Sequence, residues 1–460
     1  MEAERFDLIV IGAGSGLVVA TAAAKSGMKV AVIEQGTLGG TCLNRGCIPS
    51  KMLIFPGELS DTIRSAGDIN ITVSEPKIDF SALIQRTSST VADLRSGIES
   101  TLAALPGVEQ LPYAASFESN CVIRAGHRRL TAPRIVIATG AEPALPQIEG
   151  LADVPFMTST EALTNSVLPR RLIVLGAGYI AAELGYAYSA AGSEVEYIVR
   201  SRFLRNEDDE ISQRFSKIYV NRHKCHMGYA VRSVSFDGST YKLNCFHETE
   251  GCRVVTGDAL LISVGIKPST EQLALENTDI ATDDKGHVVV DSMLQTAVPG
   301  VYALGDVVGN HYFRHTANHE AAYLVRRLVQ GVEEKALEYG PVPHAVFTHP
   351  EIAGVGLREQ DIAHGSEDIV IGRAEFAGSN AGIARGYHDG FAKILARRSD
   401  RRILGCQIMG NDAATLLHMM IPLIKSHATL SDMLDLIFIH PALPEVLRDA
   451  ARDAAIHFNG

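Results

Sequence analysis

Two cysteines stand five positions apart in the run Gly39-Gly40-Thr41-Cys42-Leu-Asn-Arg-Gly-Cys47-Ile-Pro-Ser-Lys51. A crosslink between them closes only a short loop, worth roughly 2 kcal/mol in the chain-entropy picture. In a chain of 460 residues, able to bury large cores, that is a poor structural reason for a disulfide. A dithiol that opens and closes with two electrons is a better reason, because hydride donors and flavins also trade electrons in pairs. The stretch reads as a redox centre, and the rest of the chain as the means of delivering electrons to it.

The elements that must position this pair begin upstream. Residues 6–11 are an apolar strand entering Gly12-Ala-Gly14-Ser-Gly16, and a helical pattern follows to Lys25. A second strand over 29–33 ends in Glu34, 20 residues after Gly14. Glycines let a backbone approach a pyrophosphate at a helix N-terminus, and an acid in that place accepts ribose hydroxyls. Leu17 stands where the usual pattern has its last glycine. The plainer alternative is a tight strand-to-helix turn with a solvated Glu34. Residues 134–140, ending in Thr139-Gly140, and 300–306, ending in Gly305-Asp306, each read as a strand closed by a tight turn. An aspartate at a strand's carboxyl end suits a chain of sugar-like hydroxyls, and a helix after it directs its N-terminus at developing negative charge. A capping role is the commoner use of a lone Asp there.

The architecture then repeats. An apolar strand over 171–175 enters Gly176-Ala-Gly178-Tyr179-Ile180-Ala181-Ala-Glu183, with a helix to Ala191 and a strand over 194–199. Two such fingerprints in one chain are far stronger than either alone. The acid expected after the second strand is missing, and Arg200, Arg202 and Arg205 stand there instead. Guanidinium forks suit a 2′-phosphate better than a bare ribose diol, so this site is expected to take NADPH over NADH. The alternative is a solvated basic turn facing the acidic run 207–210.

From about residue 340 the character changes to apolar segments with glycine breaks, as in an antiparallel sheet. Helices are expected over 413–427 and 429–436, and a last one from Pro444 to His457. His440 and Glu445 are close enough in sequence for the carboxylate to orient the imidazole, as a general acid–base in thiol–disulfide exchange needs. A structural His-Pro turn with a nearby Glu is the plainer reading.

Bulk properties bound the partners. A net charge of −11 and a pI near 5.8 argue against nucleic acid or an anionic membrane. A run directly into a first strand predicts no signal peptide, and no stretch is apolar enough to span a bilayer. Seven cysteines, five of them scattered, fit a reducing cytoplasm with one special pair.

With these pieces in place, the whole chain resembles the flavin-dependent pyridine nucleotide–disulfide oxidoreductases, most specifically through residues 39–51. Its nearest likeness is to the mycothione reductase branch, through Leu17 and residues 34–42, 203–205, 315–321 and 439–446, with dihydrolipoamide dehydrogenase-like members next to it. The resemblance implies an α/β fold with two Rossmann-like dinucleotide-binding domains and a C-terminal α+β dimerisation domain. The FAD-binding domain would take residues 1–150 and 276–339, the NAD(P)H-binding domain 151–275 and the interface domain 340–460. It implies FAD and NADPH as cofactors, a small disulfide as substrate and a homodimer. Cys42 would be the interchange thiol and Cys47 the thiol against the flavin. Lys51 would lie near flavin N5, paired with Glu183. Tyr179 would be the aromatic gate displaced by nicotinamide, and Asp306 would bind the ribityl chain. His440 and Glu445 would serve the cysteines of the second subunit. Gly265, in Gly-Ile-Lys-Pro-Ser269, departs from the family's Gly-Arg-x-Pro-Asn stretch on the nicotinamide side. Phe55 and Arg64 are candidate substrate contacts. The rival readings are an NAD-linked dihydrolipoamide dehydrogenase and a metal site built from Cys42, Cys47, His315 and His319.

Overall fold

Leu8–Ile11 is a strand of four consecutive apolar residues, all buried. It forms the middle of a five-stranded parallel sheet in the order Val301–Ala303, Ile135–Ile137, Leu8–Ile11, Val30–Ile33, Val108–Leu111. Successive side chains of a strand point to opposite faces, so these runs fill two cores at once. Ile9, Ile11, Ala31 and Ile33 enter one, while Leu8, Val10, Val30 and Val32 enter the other. The computed structural model describes residues 2–362 and 368–458. This sheet belongs to a compact unit of Met1–Ser50, Gln85–Ala144 and Gly265–Tyr339.

The other unit comprises Lys51–Ile84, Leu145–Val264 and Gly340–Gly460. It repeats the motif in a four-stranded parallel sheet, ordered Lys224–Met227, Glu194–Val199, Arg171–Leu175, Ala259–Ile262. Again alternate residues divide between two cores, Leu172 and Val174 to one, Ile173 and Leu175 to the other. The same unit holds a five-stranded antiparallel sheet, ordered Pro343–Val346, Ile352–Gly356, Ile403–Met409, Phe391–Arg397, Ile369–Glu375. Helix Glu445–Ile456 lies directly on it. At Gly372 a Cβ would stand 2.0 Å from the Ala450 carbonyl oxygen, so only glycine admits that helix backbone. The α/β fold with a C-terminal α+β portion is therefore as expected.

Two elements differ from expectation. The single helix over 413–427 is two, Ala413–Leu417 and Met420–Lys425. Pro422 lies in the first turn of the second, where its missing N–H is harmless, but its ring disfavours a continuous helix through residue 418. The helix expected after Asp306 begins at Arg314, and the short 3-10 turn Gly305–Val307 stands between.

Lys393, on the strand Phe391–Arg397, is fully buried with its ammonium 2.6 Å from Asp208, 2.9 Å from Glu210 and 2.8 Å from Glu359. Removing one partner of a buried charge set strands the others. We expect Lys393→Met to lower unfolding free energy by about 3–5 kcal/mol in urea titration. A loss below about 1 kcal/mol would show that the carboxylates re-solvate freely.

Candidate active site

The first glycine loop is built on close backbone contact. Gly12 has φ +101°, and a Cβ there would stand 2.3 Å from the Ala138 carbonyl oxygen. Gly16 opens the helix Gly16–Lys25, and a Cβ on it would meet Val10 Cγ1 at 2.7 Å and Ala138 Cβ at 2.9 Å. Gly16 thus supplies the tight helix–strand packing usually given by the glycine that Leu17 replaces. Glu34 accepts the Ala13 amide at 2.8 Å on one oxygen and the Gly36 amide at 2.8 Å on the other. It is a brace for the loop, with lone pairs left over for a ribose. Gly40 packs against the same loop, because a Cβ there would be 2.6 Å from Gly14 Cα.

The polar groups of this unit fit a bound dinucleotide. Among the described residues Thr139 Oγ1 is buried without a hydrogen-bond partner, and beside it Gly140 faces open space at φ +70°. Burial, and then the nearby Glu320, push the Asp306 carboxyl up to about 6. Glu320 accepts the Gly305 amide at 2.5 Å and the Tyr339 hydroxyl at 2.5 Å, leaving Asp306 for an incoming hydroxyl chain. An unfilled buried hydroxyl and a desolvated carboxyl are what FAD's ribityl and pyrophosphate atoms would satisfy.

Gly39 and Gly40, both with positive φ, launch the short helix Gly40–Arg45 that carries the exposed Thr41 and half-buried Cys42. Gly46 breaks it, since a Cβ there would stand 2.9 Å from the Thr41 carbonyl oxygen. Cys47 then opens the 18-residue helix Cys47–Arg64. A thiol at a helix N-terminus sits where the dipole favours its anion. Further along that helix the Phe55 ring is exposed, and Arg64 is held by Asp61 at 3.0 Å and Glu75 at 2.7 Å.

In the second unit, Lys51 Nζ stands 2.8 Å from Glu183 Oε2 and 4.4 Å from the centre of the Phe347 ring. The Phe347 amide donates to the other Glu183 oxygen at 3.0 Å. Gly176, at φ +133°, would place a Cβ 2.2 Å from the Ser263 carbonyl oxygen, whereas a Cβ on Gly178 would meet nothing within 4 Å. That open position precedes the helix Tyr179–Ala191, which among the described residues has no side-chain cap from Gly178, as suits a turn that meets a phosphate. Ile180 packs on the core behind it. Arg200 and Arg205 are exposed, and Arg202 pairs with Asp209. Gly265 opens the last segment of the first unit, its carbonyl accepting the Ala144 amide at 3.0 Å.

The acidic run holds residues that sequence reasoning missed. Glu207 and Asp208 are fully buried, whereas Asp209 of the same run pairs with Arg202. Glu207 accepts from the Tyr179 hydroxyl and, at 2.7 Å, from His344 Nε2. Its only local signal was the acidic run itself. The four residues of the metal-site reading do not gather. Among the described residues, the side chains close enough to share an ion are Asp208, Glu210 and Glu359, and the Lys393 ammonium lies among them.

His440 and Glu445 do meet. The Glu445 oxygens lie 3.1 and 3.2 Å from His440 Nδ1, and they also accept the Ala442 amide at 3.0 Å and Arg448 Nη1 at 2.7 Å. The carboxylate side chain is 3% exposed and the imidazole 63%. A carboxylate can only accept here, so Nδ1 carries the proton and Nε2 is left for chemistry. Ile437 and Ile439, just before His440 in the chain, are 100% and 81% exposed.

Comparison with known proteins gives a consistent result. Residues 6–322 match the family described as pyridine nucleotide-disulphide oxidoreductase, and residues 342–451 match its dimerisation domain. The chain is 31% identical to mycothione reductase of Mycobacterium tuberculosis, over 97% of this chain and 99% of that protein. It is 33% identical to mitochondrial dihydrolipoyl dehydrogenase of Dictyostelium discoideum, over 98% and 94% of the two chains. The HOCl-induced flavoprotein disulfide reductase RclA from Escherichia coli superposes with a TM-score of 0.86 at 28% identity, covering 97% of this chain and 99% of that one.

The Ala442 amide, with His440 and Arg448, lowers the Glu445 carboxyl from 4.5 to about 2. A depressed acid stabilises the fold fully above its unfolded value, and that share is lost as pH falls through the folded one. Between pH 4.5 and about 2, the Tm of Glu445→Gln should therefore fall less steeply than that of the natural protein. Equal slopes in a melting series would rule this carboxylate out as an acid-sensitive contact.

Proposed function

Since the chain belongs to the class I pyridine nucleotide–disulfide oxidoreductases, flavoprotein disulfide reductases that use FAD and a pyridine nucleotide, we propose that it reduces a low-molecular-weight disulfide of the mycothione type with NADPH. The observation that carries the reading is the Cys42–Cys47 run, broken at Gly46 so that Cys47 opens a long helix. FAD, when bound, exchanges electron pairs between the nicotinamide and this dithiol. Gly12, Gly14, Gly16, Gly40, Thr139, Gly140 and Asp306 would hold it, with Glu34 at its ribose. Lys51, steadied by Glu183, would place a positive charge near its reactive edge.

Protein groups from the two copies then carry out the exchange. Cys42 thiolate attacks one sulfur of the substrate, forming a mixed disulfide and releasing one thiolate, which His440 protonates. Cys47 thiolate attacks Cys42 sulfur, closing the internal disulfide and releasing the second thiolate, which takes a proton from solvent through His440 Nε2. Glu445 keeps Nδ1 protonated so that Nε2 handles the proton. The exposed isoleucines just before His440 suit cover by a second copy, so we read the enzyme as a homodimer in which His440 serves the other subunit's cysteines. A reducing cytoplasm suits a dithiol of this kind.

A second reading, NAD-linked oxidation of dihydrolipoamide, is favoured by the commitment of Arg202 to Asp209, which leaves two of the three arginines for a 2′-phosphate. Comparing turnover with NADPH and NADH separates the two. On the first reading, Arg200→Ala lowers kcat/KM for NADPH by about tenfold and leaves that for NADH nearly unchanged. A preference for NADH in the natural enzyme sinks the NADPH assignment. Cys42→Ser should abolish turnover of oxidised mycothiol, glutathione and lipoamide alike, yet keep a long-wavelength thiolate–flavin absorbance from Cys47. If Cys47→Ser keeps that band instead, the two thiol roles are reversed.

A further inference from the structure

We propose that Glu207 and His344 are positioning residues that latch Tyr179 in its closed setting and thereby set how readily the nicotinamide coenzyme enters. The proposal rests on reading Tyr179 as the gate over the nicotinamide site.

The Glu207 side chain has no exposure, so its carboxylate must be satisfied by protein donors. The donors given by the fold are the Tyr179 hydroxyl on Oε1 and His344 Nε2, at 2.7 Å, on Oε2. Tyr179 heads the helix Tyr179–Ala191, and His344 lies on the strand Pro343–Val346, so the carboxylate joins two elements distant in sequence. The segment bearing Glu207 is itself tied from outside. Gln360 Nε2 donates to the Glu207 carbonyl oxygen at 2.7 Å, Arg358 donates to the Asn206 carbonyl oxygen, and Lys393 grips Asp208 at 2.6 Å. Glu207 is therefore a fixed post. Burial first, and then the Glu207 charge, push the Tyr179 hydroxyl far above its ordinary range, so it remains a donor at every working pH.

Swinging the Tyr179 ring aside breaks the bond and deprives a buried carboxylate of one of these donors. A gate that must break a charge-assisted hydrogen bond spends more of its time shut, and the apparent affinity for whatever displaces it falls by the open fraction. Weakening the latch should therefore tighten coenzyme binding without speeding the chemistry.

The test is steady-state kinetics of the FAD-loaded enzyme with NADPH and with NADH. Tyr179→Phe keeps the ring and removes the donor, Glu207→Gln keeps the shape and removes the charge, and Tyr179→Ala removes the ring. The latch predicts that Tyr179→Phe lowers KM for the coenzyme by about tenfold while kcat moves by less than about twofold. Glu207→Gln should shift KM the same way, and the double variant should go no further than Tyr179→Phe alone. Unchanged KM in the Phe and Gln variants beside a lowered KM in Tyr179→Ala would leave the gate standing and overturn the latch. Unchanged KM in all three would remove the gate reading itself, and the latch with it. Additive effects in the double variant would also overturn the coupling. Should Glu207→Gln not fold, Tyr179→Phe against Tyr179→Ala decides by the same outcomes.

Discussion

A charge shut off from water has to be answered where it lies, and in this protein that demand falls on the segment following the second glycine loop. Asp208 has no exposure, and neither has Lys393, which meets it from a strand of the antiparallel sheet. Glu210 and Glu359 complete the shell around the same ammonium, and Arg373 bonds to both of them at 2.9 and 2.8 Å. Desolvating these groups is costly, so the arrangement is held less by net attraction than by the penalty of separating it. Residues 203–210 thus cannot shift independently of that sheet, and Glu207 inherits a fixed address.

A common device recurs at the three places where chemistry is expected in the second unit. Lys51, Tyr179 and His440 each carry a group proposed to act on something outside the chain. Each is held by a carboxylate less accessible than the group it serves, Glu183, Glu207 and Glu445 respectively. Glu183 and Glu445 are in turn pinned by a backbone amide, from Phe347 and Ala442. Glu207 is pinned by a histidine. A buried acceptor with fixed donors orients its partner at small entropic cost, because little motion of its own remains to be lost.

Part of the candidate site was legible because its residues recur at fixed local spacing. The glycines at 12, 16 and 176 mark strand-to-helix turns at fixed spacing, which is what made them readable, although the atoms that exclude a Cβ at 12 and 176 belong to the distant Ala138 and Ser263. The pairing of His440 with Glu445 spans five residues and was readable for the same reason. The pairing of Lys51 with Glu183, 132 residues apart, came only from family resemblance. Helix breaks were harder. Pro422 divides a pattern that its neighbours would support as one helix, since the ring's clash outweighs their modest propensities.

The sequence by itself determined the two parallel strand-and-glycine units, the cysteine pair and the α/β class, because periodicity and the steric needs of tight turns act over a few residues. Only the tertiary structure decided which acids of the 207–210 run are surface and which are core. Glu207 meets His344 across 137 positions and Asp208 meets Lys393 across 185, so no local pattern registers either bond. Burial converts those acids from solvated charges into obligatory acceptors, and burial exists only once distant strands have packed.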